Sequence, residues 1–148
     1  MENKSEALIH LRKLCVGIET PDELRHWQQI NLPIRQGKIW HVTRSWPKRA
    51  EDLLKGGSIF WIIKGEMRLR QQIIGFEEHP LEPGDKKPKC RILLDSELVE
   101  TQPWPHRPFQ GWRYLPVNEA PPDLREGGHT EGEMPAAMAA ELRELGLL

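Results

Sequence analysis

The chain is poor in cysteine, since its 148 residues include only Cys15 and Cys90, and these two form no CxxC motif. A domain of this length buries roughly 68–70% of the surface that its unfolded chain exposes, so it needs neither disulfides nor a metal to fold. Both cysteines stand in apolar, strand-like sequence. We therefore expect reduced core thiols in a cytoplasmic protein.

Long apolar runs are also missing, because no segment approaches the roughly 18 residues that span a bilayer. The first residues lead into no signal-like hydrophobic segment, and there is no glycine-rich phosphate loop, nucleophile elbow or HExxH motif. We expect no membrane partner, no cofactor and no metal. A zinc site of Cys15, Cys90, His41 and His106 is conceivable by ligand type, yet no two of these ligands are locally spaced.

Charge is distributed unevenly, although the formal net charge is only −1. Residues 1–34 hold 4 Lys/Arg against 5 Asp/Glu, residues 35–113 hold 15 against 10, and residues 114–148 hold 2 against 7. The middle of the chain is therefore basic and its end is acidic. A basic body suggests an anionic ligand, and the alternative is that these charges only keep the protein soluble.

Hydrophobic periodicity predicts the first elements of the fold. Residues 8–16 are predicted to form a strand. Thr20 is predicted to cap a helix, with Glu23 reaching back to the cap amide. Leu24, Trp27 and Ile30 would then form one apolar stripe on that helix.

Short strands dominate the middle of the chain. The glycine-bounded, β-branched segment 58–63 is predicted to be a central strand. Its predicted partner, residues 67–76, alternates polar and apolar residues and then changes face near Ile74, which indicates a bulge.

The whole order of elements is strand, helix, strand, short helix and then four or five strands. This order predicts an α+β fold, either a small mixed β-barrel or a curled sheet, with two or three short helices. We predict a disordered N-terminus over residues 1–7 and a single domain over 8–118. An acidic Pro/Gly linker over 119–133 and a C-terminal helix over 134–148 would complete the chain.

Three segments carry a resemblance to a known family: residues 41–50 (HVTRSWPKRA), 56–65 (GGSIFWIIKG) and 107–115 (RPFQGWRYL). With residues 120–124 (APPDL), they resemble the alphaproteobacterial "domain of unknown function" family 1489, over about residues 11–124. The resemblance implies a bacterial cytosolic protein and supplies no activity.

The order of elements is also similar to that of the PUA-like barrels, especially the EVE, ASCH and YTH branches. The shared features are an opening strand, a helix, and a short helix that ends in glycine before an apolar strand, here within residues 53–63. Such domains generally bind RNA or modified bases in a cleft lined by aromatic residues. The likeness therefore implies a PUA-like fold with a ligand of that kind.

Tryptophan is abundant, with six residues. Trp27 fits its helix stripe and Trp61 its core strand, whereas the other four adjoin Pro, His or Arg. Flat aromatic faces stack on nucleobases at roughly 1–3 kcal/mol per base, and nearby arginines contact phosphates. The structural alternative is that these indoles cover the ends of a barrel and stack on prolines.

The leading hypothesis is thus a binding module for RNA or a modified nucleobase or nucleotide, in an aromatic and arginine-lined cleft where the 41–46 and 107–114 segments face Lys64. Stacking rings, cations for phosphates, and amides or hydroxyls for base edges make up the predicted ligand-binding set. The set is Trp40, His41, Thr43, Arg44, Trp46, Lys64, Arg70, Gln71, Arg107, Gln110, Trp112 and Arg113.

Two functions of other classes stay open. His41-Val42-Thr43 matches the H-x-T element of the two-histidine phosphoesterases, although no other histidine has Thr or Ser two residues later. An enzyme that acts on a nucleotide or phosphoester with His41 as acid or base is therefore one alternative. The other is a protein-interaction adaptor that recruits a partner through its acidic tail and last helix.

Overall fold

Seven strands, two α-helices and a short 3-10 helix over Val117–Glu119 lie within residues 8–124, the part of the chain that the computed structural model describes. The predicted disordered start, the C-terminal helix and most of the predicted linker lie outside the described residues. The elements, in chain order, are β1 His10–Leu14, α1 Pro21–Asn31, β2 Ile39–Thr43, α2 Ala50–Leu53, β3 Ser58–Ile63, β4 Glu66–His79, β5 Lys89–Leu94, β6 Val99–Pro105 and β7 Trp112–Leu115.

The strands form one mixed sheet in the order β2-β5-β4-β3-β1-β7, with β6 pairing beside β4. β1 and β3 run parallel, and the other pairs are antiparallel. The α+β class and the mixed sheet are therefore confirmed. The closed barrel is wrong: β2 and β7 end the path without pairing to each other, so the sheet stays open.

The central strand β3 is buried along its whole length, as predicted. One face of β3 packs into a core that includes Ile59 and Trp61, and the other face packs with Phe60 and Ile62 into a second cluster beneath Phe109. A strand covered on both faces has no polar side to present. This explains the continuous apolar run in its sequence.

Strand β4 makes the sheet turn. Its first half pairs with β3 and β6, and its second half pairs with β5, with a register shift between Ile73 and Gly75. The bulge predicted near Ile74 is confirmed. Gly75 suits this bulge, because a Cβ at this position would come within 3.2 Å of the Leu93 side chain, which would have to shift slightly.

A side-chain contact shows how far the sheet curls. Strand β2 lies three steps from β3, which is about 14 Å of backbone in a flat sheet. The rings of His41 on β2 and Trp61 on β3 nevertheless meet edge to face, with centroids 5.3 Å apart. The inner face of the sheet is therefore concave, and β2 leans over it.

The start of helix α1 follows the sequence, but its buried side does not. The Glu23 amide donates to Thr20 Oγ1 at 3.2 Å, which confirms the cap, while the Glu23 carboxylate accepts from the Glu19 amide rather than from the cap. Trp27 and Ile30 are 42% and 52% exposed, so the predicted stripe is wrong.

The buried side of α1 instead carries Leu24 and Gln28, which lie one turn apart. A polar residue is buried there because it has a partner on the sheet, the side chain of Gln71. No helix within residues 8–124 is long and apolar enough to cross a membrane.

Paired backbone continues beyond β7. The Gln102 amide donates to the Pro122 carbonyl at 3.0 Å, Thr101 forms a bridge with Asp123, and Pro121 is buried. Residues that the sequence assigned to the start of the linker therefore lie against β6.

Gly57 lies where two backbone segments approach each other, and it supplies a stability test. A Cβ at this position would lie against the Ile9 carbonyl oxygen and 2.6 Å from that of Leu53. Neither backbone atom can swing aside as a side chain can. We expect Gly57→Ala to lower the free energy of unfolding by about 3 kcal/mol or more, measured by urea denaturation.

The matched control is Gly17→Ala. Gly17 has φ +82° with open space around it, so it incurs only the left-handed backbone cost of about 1 kcal/mol. Equal losses in the two variants would contradict a steric role for Gly57.

Candidate functional site

The predicted site residues fall into separate places in the fold. Trp40 lies on the outer face of β2, and Gln71 lies in the core. Trp112 lies on the inner face of β7 and Arg113 on its outer face, because successive side chains of a strand alternate. The structure therefore does not bring the predicted set together in one cleft.

Trp40 is occupied by cations of the protein itself. The guanidinium carbons of Arg35 and Arg91 lie 4.5 Å and 4.0 Å from its ring centroid. Arg35 also lies over Trp27, at 5.1 Å, and donates to the Trp40 carbonyl at 2.8 Å. This stack of indoles and guanidiniums braces α1 and its following turn against β2, and it leaves little of Trp40 for a base.

Gln71 is fully buried and fully hydrogen-bonded. Its Oε1 accepts from Gln28 Nε2 and from Trp61 Nε1, while its Nε2 donates to Gln28 Oε1 and to the Asp95 carbonyl. These bonds use both donors and both acceptor positions of the amide. The geometry assigns Gln71 to the core.

Arg70 and Lys64 take part in ion pairs. Arg70 forms a bidentate pair with Asp123, at 2.6 Å and 2.7 Å, which fastens the chain after β7 to the sheet. Lys64 occupies the β3–β4 turn with φ +51° and lies 3.7 Å from Glu19. Both members of the Lys64 pair are exposed, so that pair contributes little to stability.

The loop between β6 and β7 is an exposed surface. Arg107 and Gln110 are exposed there, and the Arg113 guanidinium lies 4.6 Å from the Phe109 ring centroid. Arg113 also pairs in register with Arg12, on the face opposite to Trp112. Trp112 and Arg113, two of the predicted ligand contacts of this region, thus lie on opposite faces of β7.

An open groove contains two residues of the predicted set, Arg44 and Trp46. It holds about 620 Å³ and is lined by Arg44 and Trp46 on one side and by the β4–β5 loop on the other. The pairing of Thr43 with Cys90 places these two segments side by side. Residues that line it are Arg44, Ser45, Trp46, Gly84, Asp85, Lys86, Lys87, Pro88 and Lys89.

Cations in this groove outnumber anions. Lys89 is near Asp85 and Glu82, at 3.8 Å and 3.9 Å. Arg44, Lys86 and Lys87 form no ion pair with any residue of the described chain. The two lysines were not predicted from the sequence, because nothing local links them to Trp46; only the β2–β5 register does.

Trp46 gives the groove an aromatic surface. Its side chain is 42% exposed, and its ring lies 6.2 Å from that of Phe76, at an angle of 40°. One part of the indole therefore rests on the protein while the rest faces solvent. Such a ring is held in place yet available to a ligand.

His41 and Thr43 point to the inner face of the sheet. Burial, assisted by the charges of Lys13 and Arg35, lowers the pKa of His41 from 6.5 to about 4, so its imidazole is neutral at pH 7. Thr43 is buried and donates to the Ser45 carbonyl at 3.0 Å. In this state His41 offers hydrogen bonds and has no extra proton to give.

The Cys90 thiol is buried, the Cys15 thiol is half-buried, and both are protonated. Burial raises the pKa of Cys15 to about 12 and that of Cys90 to about 11. Within residues 8–124, no three His, Cys, Asp or Glu side chains lie close enough to hold a metal ion. The four candidate zinc ligands therefore do not meet there.

The hydrogen bonds of the core amides can be tested through the stability of the protein. Gln71→Leu strands Gln28 and Trp61 Nε1 without partners, so we expect a loss of about 3 kcal/mol in the free energy of unfolding. Adding Gln28→Leu removes the stranded amide, so the double variant should be no less stable than Gln71→Leu alone. Urea denaturation measures both, and strictly additive losses would contradict the reciprocal pair.

Two buried histidines predict acid sensitivity. Burial, together with the charge of Arg70, also lowers the pKa of His10 to about 4, and its Nδ1 accepts from the Ser58 amide. Because the unfolded chain binds these protons near pH 6.5 and the native state does not, stability should fall as the pH drops from about 6.5 to about 4. Each imidazole ring accounts for about 2–3 kcal/mol of the free energy of unfolding that is lost over this pH range.

His41→Leu checks this attribution. It should remove about half of the loss between these two pH values, as followed by urea denaturation at each pH. A profile identical to that of the wild type would show that His41 is not the group that titrates.

The chain was also compared with known proteins and protein families. No curated protein and no solved structure matches the chain. One family model, described as protein of unknown function (DUF1489), matches residues 11–148, which is nearly the whole chain and includes the groove, the core amides and the inner face. The resemblance seen in the sequence is thereby confirmed, and the chain belongs to the DUF1489 family.

Proposed function

We propose that this protein binds single-stranded RNA in the groove between Trp46 and the β4–β5 loop. The observation that supports it is a half-exposed indole beside three cations, Arg44, Lys86 and Lys87, that have no ion-pair partner within residues 8–124. In this proposal the domain is a PUA-like RNA-binding module of the cytoplasm.

The groove chemistry matches the two parts of a nucleotide. Trp46 stacks on a base, which contributes roughly 1–3 kcal/mol whatever the base. Arg44 and the lysine pair lie on opposite walls of the groove and contact phosphates on either side of that base. The volume of about 620 Å³ falls in the range of sites for small organic ligands, so a nucleotide fits.

Single-stranded RNA suits the groove better than a duplex. A stacking ring needs a base that is unpaired and splayed out, and the bases of a helix are already stacked on each other. The unpaired lysines track the phosphate backbone and read no sequence. We therefore expect binding with little sequence preference and a strong dependence on salt.

The affinity for a fluorescently labelled, mixed-sequence single-stranded RNA tests this function by anisotropy. Trp46→Ala should weaken binding about tenfold, in line with the loss of one stacked base. Lys86→Ala and Lys87→Ala should each reduce the slope of log affinity against log salt by about 0.7, because each removes one phosphate contact.

Matched controls locate the effect. Trp104→Ala removes an indole that is exposed to a similar extent, 37%, on β6, and Lys55→Ala removes a surface charge that is paired with Asp52. Neither should change affinity or salt slope. An abasic oligomer should bind wild type and Trp46→Ala equally, because it offers no base to stack.

Two outcomes would overturn the proposal: no binding of RNA at low salt, or binding that salt does not weaken. Binding of a nucleoside monophosphate as tight as that of the RNA would instead assign the groove to a free nucleotide.

A further inference from the structure

Lys13 lies on the inner face of the sheet between two tryptophans. Its Cα pairs with that of Trp61 on β3 and with that of Trp112 on β7. Paired residues on neighbouring strands project to the same face, so all three side chains point into the concave side. A lysine in such a row is unusual, because its neighbours there belong to the apolar core.

This lysine has no partner within residues 8–124 to neutralise it. Its side chain is half-buried, and it forms no ion pair or hydrogen bond with another residue of the described chain. Burial lowers the pKa of Lys13, and the nearby Cys15 thiol offsets this only in part. The ammonium of a half-buried lysine normally reaches a carboxylate or open water. Because Lys13 has no carboxylate partner within the described residues, its position favours the binding of an anion.

His41 approaches the same place from the other side. Its ring touches Trp61, the neighbour of Lys13, and its Nε2 is buried without a hydrogen-bond partner. The positive charge of Lys13 helps to lower the pKa of His41, which agrees with a short separation. Two polar groups thus lie next to the same indole, and within residues 8–124 neither the Lys13 ammonium nor His41 Nε2 has a hydrogen-bond partner.

The surroundings of this pair are apolar or cationic. Trp112 and Tyr114 pack together on the β7 side with ring centroids 5.0 Å apart, and Arg35 adds positive potential from the β2 side. Lys13, His41 and Trp112 are each only partly buried, and the unpartnered His41 Nε2 lies just beneath this surface. The combination provides positive charge, one hydrogen-bonding nitrogen and an aromatic wall.

We propose that Lys13 and His41 form a binding site for a small oxyanion, a carboxylate or a phosphate, with Trp112 as the wall that accommodates its apolar or aromatic part. The ammonium of Lys13 neutralises the anion, and His41 Nε2–H donates to one of its oxygens. The site is separate from the Trp46 groove and does not depend on RNA binding.

Lysine is the wrong choice for this position if only stability matters. Methionine has a similar length and fills an apolar row without a charge to desolvate. We therefore expect Lys13→Met to be at least as stable as wild type while losing the ligand. A gain in stability on removing a residue is typical of binding sites, whose polar groups await a partner.

The test uses the full chain in Tris-chloride buffer, titrated with sodium phosphate or sodium acetate at constant ionic strength. Imidazole NMR signals report on His41, and tryptophan fluorescence reports on Trp61 and Trp112. We expect saturation with one of the two anions. We also expect the pKa of His41 to rise on saturation, because a neighbouring negative charge favours the imidazolium.

Variants complete the experiment. Lys13→Met should weaken anion binding at least tenfold. In the absence of anion, the pKa of His41 should be higher in this variant than in the wild type, because a neighbouring positive charge has been removed. Lys55→Met controls for the loss of a surface lysine. A Trp46→Ala, Lys86→Ala, Lys87→Ala triple variant should keep the response at His41, which separates this site from the groove.

The result is decisive in each case. Saturation by phosphate or by acetate identifies the anion class, and loss of that response in Lys13→Met supports the site. Unchanged binding in Lys13→Met overturns it. A wild-type protein that is saturated by neither anion at roughly 10 mM would also overturn the proposal. That measurement does not depend on whether a variant folds.

Discussion

The reciprocal amide pair between Gln28 and Gln71 is the polar contact on which the inner face of the sheet depends. It joins α1 to the centre of the sheet by two hydrogen bonds, and the same Gln71 oxygen accepts from Trp61 Nε1. The orientation of the Trp61 indole is thereby fixed. Because the ring of His41 rests edge-on against that indole, a buried polar contact far from the surface determines how the inner face is shaped.

The curvature of the sheet also shapes the inner face. β4 pairs with three strands along its 14 residues, and the shift at Gly75 lets its second half turn away with β5 and β2. A flat sheet of this order would leave β2 far from β1. The bulge instead makes one concave face, and the loop after β2 then crosses to β7, where the Arg49 amide donates to the Tyr114 hydroxyl.

Local signals in the sequence predicted local features well. The cap at Thr20, the buried strand β3 and the bulge near Ile74 each depend on a few adjacent residues, and each was predicted correctly. Trp27 was wrongly assigned to the buried side of α1, because a partner distant in sequence, Gln71, causes Gln28 to be buried instead. Strand register likewise determines whether the Trp40 ring is free to bind a ligand and which lysines line the groove. Periodicity in the sequence does not reveal that register.

The positive charge of the middle segment also needs partners to be understood. Arg35 and Arg91 lie over an indole and Arg70 binds Asp123, so these cations are committed within the fold. The cations without an ion-pair partner within residues 8–124 include Arg44, Lys86 and Lys87 of the groove and Lys13 of the inner face. Net charge therefore overstates how much of the surface attracts an anion. The relevant field arises where aromatic or apolar neighbours keep a cation in place and no acid neutralises it.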